Sequence, residues 1–197
     1  MIYEVSGDIL LSQARAIAHG VAPNDNFATG LALSLREHWP ALYKDFRNYC
    51  HIYHPKAGEQ WTWVNAEGQR IINLMTQEAA YDNGSKPGKA STEYVNRTLK
   101  NLKQLVEAEN IESLALPRLA TGVGGLDWEE VRPLIYKHLE DLNIPVYVCR
   151  PVPERGESRR TGALSQARLI VRVRLMPGSH GCATADRHAS SPISPLG

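Results

Sequence analysis

The chain has 197 residues, of which 43% are apolar and 22% charged, with a net charge of +1. That length and composition suit one well-buried core and give no reason for broad electrostatic capture of nucleic acid or of a lipid surface. No apolar run approaches the ~20 residues of a bilayer span. The start MIYEVSGDIL lacks the basic and long apolar regions of a signal peptide. The three cysteines, Cys50, Cys149 and Cys182, are far apart and odd in number. They fit a reduced cytoplasm better than a disulfide framework.

In chain order, Met1–Val5 reads as a short apolar strand and Ala16–Gly20 as a second that ends in glycine. Gly30–Ala41 has helical spacing through Leu31, Leu35 and Trp39, with a stop expected before or at Pro40. Cys50-His51-Ile52-Tyr53-His54 has metal-ligand residue types but no second cluster, so it reads as a solvated or packed surface. Trp61–Val64 and Arg70–Met75 flank the turn Asn65-Ala66-Glu67-Gly68 and predict a hairpin. The insertion Ala79–Lys89 reads as a surface loop, even though it brings Asp82, Lys86 and Lys89 nearby.

The clearest helix is expected from Ser91, a fitting N-cap, to Glu109. Val95, Leu99, Leu102, Leu105 and Val106 trace its apolar face. Ser113–Leu116 then forms a strand, followed by the glycine-rich stretch RLATGVGGLDW, a helix from Asp127 to about Leu142 and a strand over Pro145–Cys149. Strands separated by helices predict an α/β fold with a largely parallel sheet covered on both faces. Ligands on such sheets sit at the carboxyl ends of strands, where the loops after Ala18 and after Leu116 converge.

Composition shifts near residue 150. Residues 151–197 hold 7 arginines, no lysine and 3 acidic residues, which leaves 15 basic and 18 acidic residues for 1–150. The tail has no aromatic residue and is rich in Pro, Gly, Ser and Ala. It reads as an irregular extension, with Leu169–Leu175 the one alternating run, or alternatively as an Arg-rich arm for an acidic partner. The domain limits are therefore set at 1–150 and 151–197.

Three stretches in register resemble the macro-domain family over residues 1–150. They are Gly7-Asp8-Ile9, the loop from Ala18-His19-Gly20-Val21-Ala22 to Gly30, and Pro117 to Leu126. The resemblance is to the branch of terminal ADP-ribose and deacylating hydrolases, whose first loop begins Ala-His. It implies a three-layer α/β/α fold with a mixed, largely parallel sheet, and binding of ADP-ribose, free or attached to a macromolecule. In that reading Asp8 accepts the adenine exocyclic amine, with the Ile9 backbone beside it. Ala120, Thr121, Gly122, Val123, Gly124, Gly125 and Leu126 wrap the diphosphate, where glycines let main-chain N–H groups approach the phosphates closely. Asn24, Asp25, Asn26, Ala28, Thr29 and Gly30 lie near the distal ribose.

Catalysis is less defined. One hydrolase of this branch uses a lysine and an aspartate; the matching positions here are Gln77, in Leu74-Met75-Thr76-Gln77, and Gly124. Glutamine is no such nucleophile and glycine carries no proton, so that mechanism is absent. A positioned water acting with His19, Asn24 and Asp25 is the remaining route, toward ADP-ribose 1″-phosphate or ADP-ribosyl esters. A non-catalytic reader is the alternative. His19 also reads as a core histidine, and Trp39 and Trp128 as core residues or as flanks of an adenine. Cys149 stands where the branch can place an aromatic against the base. No cofactor and no metal are implied, and a cytoplasmic monomer is expected, with a membrane or nucleic-acid partner disfavoured. A dinucleotide dehydrogenase is disfavoured too, because no Gly-x-Gly-x-x-Gly follows the first strand.

Overall fold

The computed structural model describes residues 1–79 and 87–151. The expectations for the tail beyond 151, for Leu169–Leu175 and for Asp82 and Lys86 lie outside these residues. The described chain runs β1 (Ile2–Ser6), a single 3-10 turn (Ile9–Leu11), β2 (Ala16–Val21), α1 (Gly30–His38), α2 (Pro40–Tyr53), β3 (Gln60–Val64) and β4 (Arg70–Met75). It continues through α3 (Thr92–Ala108), β5 (Leu114–Pro117), α4 (Trp128–Leu139) and β6 (Val146–Arg150).

Six strands form one sheet in the order β1-β6-β5-β2-β4-β3. All neighbours pair in parallel except β3 with β4, the expected hairpin, in which Trp61 faces Asn73 and Trp63 faces Ile71. The alternation of each strand sorts the core into two layers. Ala16, Ala18, Ile72, Leu74, Leu114, Leu116 and Val148 pack with α3 and α4. Ile17, Val21, Ile71, Met75, Ala115 and Cys149 pack with residues of α1 and α2 such as Leu35, Leu42 and Phe46. The three-layer α/β/α reading holds.

Helix α3 forms where its apolar stripe predicts, and Ser91 Oγ accepts the Tyr94 N–H at 3.2 Å as its cap. The region after Trp39 differs from expectation. Pro40 does not merely end a helix; it opens a second one, as the first residue of α2. At that position its missing N–H has no intrahelical partner to lose and its fixed φ suits the helix. Leu42, Phe46 and Cys50 then recur at the i, i+4 spacing and are buried. Cys50 thus faces the core, while His54 closes α2 in the left-handed region at φ 47°. No described helix is long and apolar enough to cross a membrane.

Candidate functional site

Because β1, β2, β4, β5 and β6 are parallel, the loops that leave them emerge on one edge of the sheet. Four stretches on this edge matter here: residues 7–12, 22–29, the described parts 76–79 and 87–91, and 118–127.

The loop after β5 is built around its backbone. Ala120 has φ 58° and Gly125 φ 75°, and the Leu126 N–H returns to Ala120 O at 3.0 Å while Gly125 N–H bonds Gly122 O at 3.1 Å. Among the described residues, the N–H groups of Thr121, Gly122, Val123 and Gly124 bond to no other atom. Successive unpartnered backbone donors are the kind of group that can receive an anion. The Thr121 hydroxyl turns inward and donates to Arg118 O at 2.8 Å. A Cβ on Gly122 or Gly125 would meet nothing within 4 Å, so open space lies over both. Gly124 is the opposite case: its Cβ would stand 2.6 Å from Ala120 O and 2.9 Å from the Ala90 side chain.

The helix that follows this loop is not the anion site that its position suggests. The first turn of α4 carries Glu129 and Glu130 behind Asp127, and Glu130 Oε2 accepts the Asp127 N–H at 3.4 Å. Those carboxylates already answer the helix dipole. At the start of α1, by contrast, Thr29 makes no side-chain cap bond and Gly30 has φ 60° with open space over its Cα. Ala28, Thr29 and Gly30 are exposed there.

The loop after β2 is held by its own side chains. Asp25, 7% exposed, accepts from Phe27 N–H at 2.8 Å and from Ala22 N–H at 3.3 Å. Burial pushes its carboxyl above the usual range, and these two bonds only partly oppose that. Asn26 Oδ1 accepts the Ala28 N–H at 3.1 Å, and guanidinium groups of Arg36 and Arg47 donate to the carbonyls of Asn26 and Asn24. Asn24 is exposed with φ 60°; Phe27, at φ 50°, is fully buried against Tyr43 and Phe46.

His19 lies beneath this loop at 1% exposure. Asn73 Nδ2 donates to Trp61 O at 3.2 Å, so its Oδ1 accepts from His19 Nε2 at 2.7 Å. The imidazole stands edge-on to Phe27, 5.8 Å between centroids, and its Nδ1 has no partner among the described residues. Burial lowers its pKa to about 4, with the Asn73 bond opposing, so the ring is neutral. Of the catalytic candidates, His19 and Asp25 are buried and bonded within the protein, and only Asn24 of the three is exposed. The strand alternation carried this signal, since His19 shares its face with the buried Ile17 and Val21.

Asp8 sits at the other end of the edge, exposed, with Oδ1 accepting the Leu10 N–H at 2.9 Å. Ile9 is buried beside it. Burial and the nearby Asp8 carboxylate push the Cys149 thiol up to about 11. Trp39 packs near Trp63 in the α1/α2 layer, and Trp128 carries Arg118 on its ring.

The structure also brings Gln77 and Gly124 into one place. Gln77 forms an isolated bridge with Ala90, whose N–H bonds Gly124 O at 3.2 Å. Gln77 is 5% exposed and its Nε2 donates to Gly88 O at 3.1 Å. Among the described residues, no group of His, Cys, Asp or Glu is placed to hold a metal.

A largely parallel sheet lies between two helical layers, with a glycine-rich loop at the carboxyl edge where α/β folds of this kind place their ligands. The model of the Macro domain family matches residues 64–135. The solved macrodomain of Thermus aquaticus DarG has a TM-score of 0.68 at 27% identity, covering 77% of this chain and 99% of that one. Thermosipho africanus DarTG, solved in complex with ADP-ribose, has a TM-score of 0.67 at 23% identity, over 80% of this chain and 43% of that one. The DNA ADP-ribosyl glycohydrolase of Mycobacterium tuberculosis is 26% identical over 175 residues, 86% of this chain and 47% of that protein. The chain thus spans about half the length of the curated relatives it matches. It shares the fold of these solved macrodomains.

Proposed function

We propose that this chain binds ADP-ribose, free or attached to a macromolecule, across the carboxyl edge of its sheet. The observation that carries the reading is the run of four uncommitted N–H groups, Thr121 to Gly124, under open space at Gly122 and Gly125. The diphosphate lies on them and on the uncapped start of α1. Asp8 uses its free carboxylate oxygen on the adenine amine, with the Ile9 backbone alongside. Asn24, Ala28, Thr29 and Gly30 border the distal ribose, and the buried Asp25 fixes that loop's shape.

The target class follows from the relatives. They are named for DNA ADP-ribosylation, so a nucleic acid bearing ADP-ribose is a better target than sequence composition suggested. Reading the modification is favoured over removing it by lysine chemistry, because Gln77 and Gly124 occupy the two reactive positions and Gln77 is bonded to Gly88. Slow hydrolysis by a water held at Asn24 is the second reading. ADP-ribose 1″-phosphate and ADP-ribosyl esters are its substrates, since either has a leaving group that needs no nucleophilic side chain.

Calorimetric titration of the full chain with ADP-ribose tests the binding reading, with AMP, GDP-ribose and NAD as controls. Micromolar affinity, about −8 kcal/mol, is expected for ADP-ribose. AMP should bind more weakly, and Asp8→Ala should remove the preference for adenine over guanine. No heat up to millimolar ADP-ribose would overturn it. Turnover of ADP-ribose 1″-phosphate that Asn24→Ala abolishes, with binding retained, would favour the second reading.

A further inference from the structure

Beside the Asp8 end of the edge, on the face covered by α4, lies a separate recess of about 130 Å3. It is lined by Glu4, Val5, Ser6, Arg118, Val148 and Arg150. Three strand ends deliver these groups. Ser6 ends β1, Arg150 ends β6 in register with it, and Arg118 directly follows β5. Arg150 Nη2 donates to Ser6 Oγ at 3.1 Å, and the Arg118 guanidinium lies 4.8 Å from the centre of the Trp128 ring.

Among the described residues, neither guanidinium has a carboxylate partner. The one carboxylate in the recess is already engaged, because Glu4 Oε1 accepts from Arg132 Nε at 2.6 Å and from Tyr136 OH at 3.4 Å. Arg118 and Arg150 line the recess with this one carboxylate, which is bonded to Arg132. Two like charges converging on a small recess repel until an anion joins them, and planar guanidinium forks match phosphate oxygens two at a time. The Trp128 ring holds one fork in place, which lowers the entropy lost on binding.

The recess adjoins Asp8 closely: the Gly7 N–H bonds Arg150 O at 3.0 Å. We infer that Arg118, Arg150 and Ser6 form a phosphate subsite next to the adenosine end of the cleft. It takes a phosphate carried on the adenosine ribose, so that the preferred ligand is a phosphorylated ADP-ribose. The adenosine placement rests on the reading of Asp8 given above. Ser6 and Arg150 lie at the ends of other strands, and Arg118, the first residue of the loop after β5, is the one group shared with the diphosphate loop.

The test is calorimetry of the full chain with ADP-ribose and with ADP-ribose 2′-phosphate, in the parent and in Arg118→Gln/Arg150→Gln. The 2′-phosphate should bind about tenfold more tightly to the parent, the range of one charge-assisted contact at a part-exposed site. The ratio of the two affinities should fall to about one in the double variant, and Arg118→Lys should retain part of it. Equal affinities in the parent overturn the subsite, whatever the variants do. A preference that survives in a folded double variant, checked by its thermal melt, overturns it too. If ADP-ribose binds and Asp8→Ala loses adenine preference while the ratio is one, only the subsite falls. If neither ligand binds, the ADP-ribose reading fails and the subsite fails with it.

Discussion

The loops after β2 and after β5 lie on the same sheet edge and are made differently. In residues 22–29, side chains satisfy the backbone: Asp25 takes two N–H groups, Asn26 takes one, and Arg36 and Arg47 hold two carbonyls. In residues 118–127 the backbone folds on itself through Ala120 and Gly125, and four N–H groups have no partner among the described residues. A loop full of polar side chains thus satisfies its own backbone, while the loop nearly without them leaves donors open among the described residues. Polar residue content alone does not show which loop has backbone groups to offer.

The largest effect expected from this contrast is on stability. Phe27→Ala empties a fully buried site between Phe46, Tyr43 and His19, and should cost about 3–5 kcal/mol in urea unfolding. A loss under 1 kcal/mol would mean that the first loop is not anchored by its aromatic residue. Acid comes next. His19 has a pKa of about 4 in the fold against 6.5 unfolded. Above pH 6.5 both states are neutral and the group has no effect. As pH falls from 6.5 toward 4 the unfolded chain takes up a proton that the native ring refuses, so stability declines by roughly 3 kcal/mol. Urea midpoints measured across that window should flatten in His19→Phe. An unchanged slope would show that the imidazole does not drive it.

The smallest stability effect belongs to the second loop, where function should suffer instead. Gly122→Ala adds a methyl that meets no protein atom, at a backbone angle open to any residue. Its unfolding midpoint should stay within about 0.5 kcal/mol of the parent. Affinity for ADP-ribose should drop about tenfold, as the methyl holds the diphosphate off the N–H groups. If binding is untouched, the four donors face something other than the ligand.

How much of this was legible in the sequence depended on what the pattern encodes. Period and spacing encode layers, so all six strands, α1, α3 and α4 could be read directly, with the hairpin. Helix α2 was missed because Pro40 was taken only as a stop, although a proline at the first helical position, ahead of Leu42, Phe46 and Cys50, is also a start. The glycine loop stood out because few side chains interrupt it. Which donors stay open could not be read, since that depends on Ala120 adopting a positive φ and on Thr121 turning its hydroxyl inward. The recess with Arg118 and Arg150 was invisible for another reason: its residues come from three strand ends that are joined only by the sheet order.

The closeness of Gly124 to Ala120 O also bears on how this pocket can change. Converting it to lysine–aspartate chemistry needs a carboxylate at 124 as well as a lysine at 77. Any side chain at 124 meets a carbonyl oxygen 2.6 Å away, a fixed part of the loop rather than a movable tip. The lysine alone could arrive by a single substitution at an existing side chain, but the carboxylate requires the main chain to be rebuilt first. Two substitutions that look equivalent on paper thus differ in kind: one exchanges a side chain, and the other needs the main chain to move.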